Sequence, residues 1–222
     1  MSSEIIKQNT GIDIDAKTFK VSFRTLFSDQ KQKLKGSRTF NNNAKGFKEF
    51  WSWIEAKSIE GVPQHFTMEA TGVYYENLAY FLEQRKVNIH VVLPNQSKAF
   101  ISSLNIKTRN DKIDANALSI MGTERVLSLW SPVSQQMRIL KKLSRERLRI
   151  IKLKSMVINQ LHAEQHSFEP CKDSIKRMKD LIEEFKTKIN EIEKQLSEET
   201  AKDEKLKNKI NEICKVKGIE FG

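Results

Sequence analysis

Cysteine is scarce in this 222-residue sequence. Its two residues, Cys171 and Cys214, lie far apart with no CxxC or Cys/His spacing. That excludes a sulfur-ligated zinc site of the usual spacing and fits reduced thiols. Long apolar runs are missing as well. Nothing approaches the roughly 18 residues of a membrane span, and the opening MSSEIIKQNT has no apolar signal-peptide core, so a soluble, intracellular protein with no membrane partner is expected. Histidine is limited to four residues. His65 and His90 fall in strand patterns without a ligand partner at metal spacing, which predicts packing or hydrogen bonding for both.

Positive charge is abundant. The formal net charge is +11 and the pI about 9.6, which calls for a polyanionic partner. The charge is uneven: residues 1–130 hold 18 Lys and Arg against 13 Asp and Glu, residues 131–166 hold 8 against 2, and residues 167–222 hold 13 of each. The excess is concentrated in a short central segment. With 38% hydrophobic residues, 12 Phe and 3 Trp, the chain can bury one core and leave residues over for an elongated element.

Alternation marks the first strands. Across 10–17 (TGIDIDAK), Ile12 and Ile14 point one way and Asp13 and Asp15 the other. Acids are poor strand formers, so a strand that carries two of them is unusual. Residues 18–27 alternate again through Phe19, Val21 and Phe23. A break at Ser28-Asp29-Gln30 leads to a third strand near 31–40, completing an antiparallel meander. Asn41-Asn42-Asn43 supplies a helix cap before 44–57, where Phe47, Phe50, Trp51 and Ile54 recur at helical spacing. A strand over 65–70 carries Glu69 at its C-terminal end, where open α/β sheets place their chemistry. A helix over 74–85, with Tyr74, Leu78, Phe81 and Leu82 as its stripe, precedes a strand at 87–93 that is apolar enough to be buried on both faces. Helices from Pro94 to about Leu104 and from Asp111 to about Arg125 follow.

Asp111 and Asp114 stand three residues apart on that last helix, and i and i+3 share a face. Taken alone, such a pair is more often a solvated surface feature than a site. The element order βββαβαβα changes the balance. In a ribonuclease-H-like architecture the first and fourth strands are central neighbours and a late helix crosses their ends, so Asp13, Glu69, Asp111 and Asp114 converge. Four carboxylates suit two Mg²⁺ or Mn²⁺ ions about 4 Å apart and in-line displacement at a phosphodiester. Asp15 shares a face with Asp13, and Asp13 is preferred because it sits deeper in the apolar strand.

Three segments, TGIDIDAKTFKV, MEATGVYYENL and KTRNDKIDANAL, together resemble the three signatures of the DEDD-type (RuvC-like) insertion-sequence transposases. That family includes the pilin-gene invertase and bridge-RNA-guided recombinases. The resemblance continues through PVSQQMRILKKLSRERLRIIKLKSMVINQLHA. It implies that Asp13, Glu69, Asp111 and Asp114 are the metal ligands, with Mg²⁺ or Mn²⁺ as cofactor. It further implies DNA and a guide RNA as partners and a cytoplasmic, nucleoid-associated location. Asp15 and Ala16 depart from the family pattern. In the family a "GIG"-like turn opens a C-terminal domain with a nucleophilic serine, and this chain stops at ICKVKGIEFG. The expectation is therefore a chain with the metal half of a composite site.

Residues 134–166 predict a helix roughly 50 Å long, with Leu140, Leu143, Ile150, Val157 and Leu161 along one seam. Its other faces are expected to carry Arg138, Lys141, Lys142, Arg145, Arg147, Arg149, Lys152 and Lys154, opposed only by Glu146 and Glu164. Near-uniform positive charge repels itself unless an anion lies along it, so these eight are the candidate nucleic-acid contacts. After a break at Ser167-Phe168-Glu169-Pro170, a second helix carries Leu181, Phe185, Ile189, Ile192 and Leu196, then Leu206, Ile210 and Ile213, as a coiled-coil seam. Glu199 and Asp203 predict a weak point in it. The helices are expected to form an antiparallel hairpin or a dimer coiled coil, and the family implies a dimer or tetramer.

The expected organisation is thus an α/β, ribonuclease-H-like mixed sheet with flanking helices over 1–130, a helical coiled-coil arm over 131–217 and the start of a further domain at 218–222. Three functions compete: a metal-dependent DNA transposase or recombinase, a free-standing RuvC-like junction nuclease, and a non-catalytic nucleic-acid-binding oligomerisation module.

Overall fold

The computed structural model describes residues 4–104 and 111–202, which fall into two compact units divided between Pro132 and Val133. In the first unit the elements run β1 (Ile5–Ile14), β2 (Thr18–Phe27), β3 (Gln32–Asn41), α1 (Ala44–Glu55), β4 (Gln64–Glu69), α2 (Glu76–Glu83), β5 (Asn88–Val92), α3 (Pro94–Ser103) and α4 (Asp111–Glu124). The five strands form one sheet in the order β3-β2-β1-β4-β5. β1 to β3 are an antiparallel meander, and β4 and β5 join parallel to β1. This mixed sheet with flanking helices is the ribonuclease-H-like arrangement, with the first and fourth strands paired at its centre.

The two faces of the sheet differ chemically because side chains alternate along each strand. Ile12, Ile14, Phe19, Val21, Phe23, Phe66, Met68 and Ile89 form one face and pack with Phe47, Phe50 and Ile54 of α1 and Leu78 and Leu82 of α2. Phe19 meets Phe50 edge-on, with ring centroids 5.3 Å apart. α1 starts as its sequence predicts, since the Asn43 side chain accepts a hydrogen bond from Gly46 N at 2.9 Å. The opposite face has small and polar residues, and α4 lies against β1, β2 and β4 there.

Two boundaries move. β1 begins at Ile5 rather than Thr10, because the polar side chains that hid it are internally bonded: Gln8 Nε2 donates to Ile59 O and Val62 O. Tyr74 lies outside α2 and is 42% exposed. Gly72 adopts φ +56°, and Asn42 Nδ2 donates to Tyr74 O at 3.2 Å, so 71–75 turns before the helix starts.

The second unit pairs α5 (Gln135–Gln165) with α6 (Lys172–Ala201). Arg147 Nε donates to Glu193 Oε1 at 2.8 Å, and the Gln136 amide donates to Glu199 O, so the helices run antiparallel. The seam of α6 is Ile175, Met178, Ile182, Phe185, Ile189, Ile192 and Leu196, alternating steps of three and four. Leu181 is a correction: it is 38% exposed, whereas Ile182 is buried at 8%. Two successive steps of four carry Leu181 off a 3.5-residue seam. On α5, Arg147 and Lys154 also move, from the outer faces into the partly covered row Leu140, Leu143, Arg147, Ile150, Lys154, Val157 and Leu161. At Glu199 the carboxylate turns to Lys202 Nζ at 2.5 Å. The seam residues Leu206, Ile210 and Ile213, together with Asp203, Cys214 and 218–222, lie outside the described residues.

Candidate metal centre

Asp13 and Glu69 sit side by side at the ends of parallel strands. The β1–β4 ladder runs in register to Ile12↔Met68, so Asp13 and Glu69 are the next pair along it. Both are half-buried on the face that α4 covers. Glu69 is oriented on both oxygens: Thr71 Oγ1 donates to Oε1 at 3.1 Å and Ser97 Oγ donates to Oε2. Ser97 is itself buried at the start of α3. Asp15 lies past the end of β1, exposed, and accepts from Ala16 N at 2.6 Å.

α4 reaches this point through a close backbone approach. A Cβ at Gly11 would lie 2.1 Å from Ser119 N and 2.2 Å from Ala115 O. A Cβ at Gly122 would lie 2.1 Å from Thr67 Oγ1 and 2.2 Å from Asn9 Nδ2. Later helix residues therefore meet earlier strand residues, and α4 runs opposite to β1. Its first turn, with Asp111 and Asp114, is directed to the strand ends that carry Asp13 and Glu69. Asn9, fully buried, fixes the axial position: its Nδ2 donates to Ser119 O at 3.0 Å and its Oδ1 accepts from Thr67 Oγ1 at 3.0 Å. Arg24 adds bonds from Nε to Ser119 Oγ (3.1 Å) and from a terminal nitrogen to Asn116 Oδ1 (2.8 Å).

Asp114 is half-buried with Oδ1 inaccessible to solvent, while the side chain of Asp111 lies outside the described residues. Among the described residues no three His, Cys, Asp or Glu side chains are grouped closely enough to hold an ion. The structure thus sets Asp13 beside Glu69 but does not bring Asp114 together with them as a three-carboxylate group. The donors are all oxygen, which fits Mg²⁺ or Mn²⁺ and offers zinc nothing it prefers.

The two strand histidines are elsewhere on this face. His90 Nδ1 points at Ser128 O at 3.0 Å and must donate to it. His90 Nε2 is then the acceptor for His65 Nδ1 at 2.9 Å, with the rings stacked 5.3 Å apart. Burial, reinforced by the Lys7 ammonium and by His90, lowers His65 to about 4. Burial also lowers His90, against the opposing effect of its bond to Ser128. The expected hydrogen bonding holds for this pair.

A family model described as a transposase, that of the IS110-type DEDD proteins, matches residues 10–166. The chain belongs to the IS110-type DEDD transposase family. Similar to this transposase-family chain are the pilin gene-inverting proteins of Moraxella lacunata, 36% identical over 128 residues, and Moraxella bovis, 35% identical over 128 residues. Each match takes in 58% of this chain and 38% of the relative, so the chain spans well under half the length of these curated relatives. Among solved structures, T. thermophilus RuvC in complex with a Holliday junction substrate is similar at a TM-score of 0.36 and 14% identity, covering 52% of this chain and 92% of that one.

Sequence patterning missed the residues that seat α4, namely Asn9, Gly11, Thr67 and Gly122, and Ser97, which orients Glu69. A signal was present in the alternation itself, since Gly11 occupies the same face as Asp13 and presents no side chain to keep a helix away, and Asn9 on that face needs a partner for its amide.

Proposed function

We propose that this IS110-type chain is the metal-binding part of a DNA transposase or recombinase, with Asp13, Glu69, Asp111 and Asp114 holding Mg²⁺ or Mn²⁺, two ions across the four carboxylates. The observation that carries this reading is the seating of α4 on Gly11, which directs its acidic first turn to the ends of β1 and β4. When bound, the ions would supply Lewis-acid polarisation of a scissile phosphate and neutralise charge on the leaving oxygen. The chain's own contribution is orientation. Thr71 and Ser97 hold the Glu69 carboxylate, and Asn9 holds the axial position of the helix.

The nucleic acid lies along α5 in this proposal, on the exposed Lys141, Lys142, Arg145, Arg149 and Lys152. DNA is the substrate, and the family resemblance supports a guide RNA as second partner. Exposed Leu148, Met156 and Ile158 on the same helix support a dimer or tetramer joined through the arm. No helix among the described residues is long and apolar enough to cross a membrane, and a cytoplasmic location on the nucleoid follows from a DNA substrate.

Incubating the chain and its Asp111→Ala variant with branched and duplex DNA, in Mg²⁺ or Mn²⁺, tests the reading. Cleavage by the parent that disappears in the variant supports the metal site and makes the isolated chain a nuclease. Equal cleavage by both removes Asp111 from the site, and DNA binding without cleavage by either leaves the composite-site and binding-module readings.

A further inference from the structure

β1 and β2 pair with Asp13 directly opposite Lys20. Residues directly opposite in an antiparallel ladder project to the same face, with Cβ atoms about 4.5–5.5 Å apart. Lys20 is half-buried there, as Asp13 is. Four residues further along β2, on the same face, Arg24 is committed to Asn116 and Ser119 of α4. Lys20 is thus the cation that the β2 register delivers to the proposed carboxylate cluster.

Carboxylates gathered at one point repel one another unless a cation is present. We propose that Lys20 is a positioning residue of this site: its ammonium neutralises the Asp13 side of the cluster before a divalent ion enters, and serves a phosphate oxygen of the bound DNA once the ion is in place. The proposal rests on the metal-site reading above. Lysine suits the exchange because its charge is compact and its four-carbon stem is flexible, whereas a guanidinium locks into forked pairs. A divalent ion and an ammonium about 6 Å apart repel enough to change affinity about tenfold even at the dielectric constant of water. Lys20 therefore weakens ion uptake while it preserves the empty site, which is the opposite of what a purely structural lysine would do.

Titration calorimetry with Mn²⁺ on the full chain tests this, comparing Lys20→Met, Lys20→Gln, Lys20→Arg and Asp13→Asn. The Met and Gln variants are expected to bind Mn²⁺ about tenfold more tightly, Arg to stay near the parent, and Asp13→Asn to lose affinity. At saturating Mn²⁺, Lys20→Met is expected to weaken duplex DNA binding and to reduce the slope of log affinity against log salt by about one. Unchanged or weaker Mn²⁺ affinity in both neutral variants, with melting temperature retained, overturns the counter-ion role. An unchanged salt slope overturns the phosphate role. If the parent takes up no Mn²⁺, or if Asp13→Asn leaves uptake intact, the metal-site reading fails and the Lys20 proposal fails with it. Uptake that is lost in Asp13→Asn but indifferent to Lys20 overturns only the latter.

Discussion

Asn9 on the central strand donates its side-chain amide to the backbone carbonyl of Ser119 on α4, at 3.0 Å and fully out of solvent. The same side chain accepts from Thr67 on the neighbouring strand. One residue thus pins two strands and a helix. Replacing it with Leu leaves a buried carbonyl and a buried hydroxyl without this partner, a loss of about 1–3 kcal/mol. A core control, Ile54→Val, costs about 0.5–1.5 kcal/mol without touching α4. Thermal melts should rank the two variants in that order, and Mn²⁺ titration should show weakened uptake for Asn9→Leu alone.

Gly11 and Gly61 should respond differently to Ala. At Gly11 the new methyl would sit 2.1 Å from backbone nitrogen, with no flexible side chain to yield. The helix must lift, at about 3 kcal/mol or more by the scale of overpacked cores. At Gly61 the methyl meets nothing within 4 Å, and the cost is only that of its φ of +79°, about 1–2 kcal/mol. Chemical denaturation of both variants measures the difference.

The His65–His90 pair makes stability depend on acid. An unfolded His65 takes up a proton near pH 6.5, whereas the folded one resists protonation down to about 4. Between those values the unfolded chain binds more protons, so stability rises with pH across the window and is lost on acidification. Above the window neither state is protonated and the pair contributes no slope. Melting temperatures from pH 7.5 to 4 should fall mainly below 6.5, and His65→Gln should flatten that decline.

On α5 the basic residues separate into two roles. Arg147 lies in the seam and pairs with Glu193 at 2.7 Å, so Arg147→Ala should lower stability by about 0.5–1 kcal/mol and leave the salt dependence of DNA binding nearly intact. Reversing Arg145 and Arg149 to Glu should weaken binding and flatten that dependence. Fluorescence anisotropy over a salt series separates the two outcomes.

Much of the first unit was legible because its signals are local and periodic. Ile12 and Ile14 against Asp13 set the faces of β1, Asn43 announced α1, and the order of acids on successive elements pointed to one end of the sheet. What stayed hidden depends on partners distant in sequence. Asn9 reads as an ordinary polar residue until Ser119, 110 positions later, supplies its acceptor. Leu181 and Ile182 are equally apolar neighbours, and which of them enters the seam depends on the phase of α5 opposite. Arg147 and Lys154 look like surface charge because a long side chain can lie in a seam and still bring its head to a partner or to water.

The seat of α4 has a consequence for how such chains can diverge. Asn9, Gly11 and Gly122 hold it from three sides, so Asp114 keeps its station relative to Asp13 only while those contacts last. Changes at those three anchoring residues would have to be compensated together.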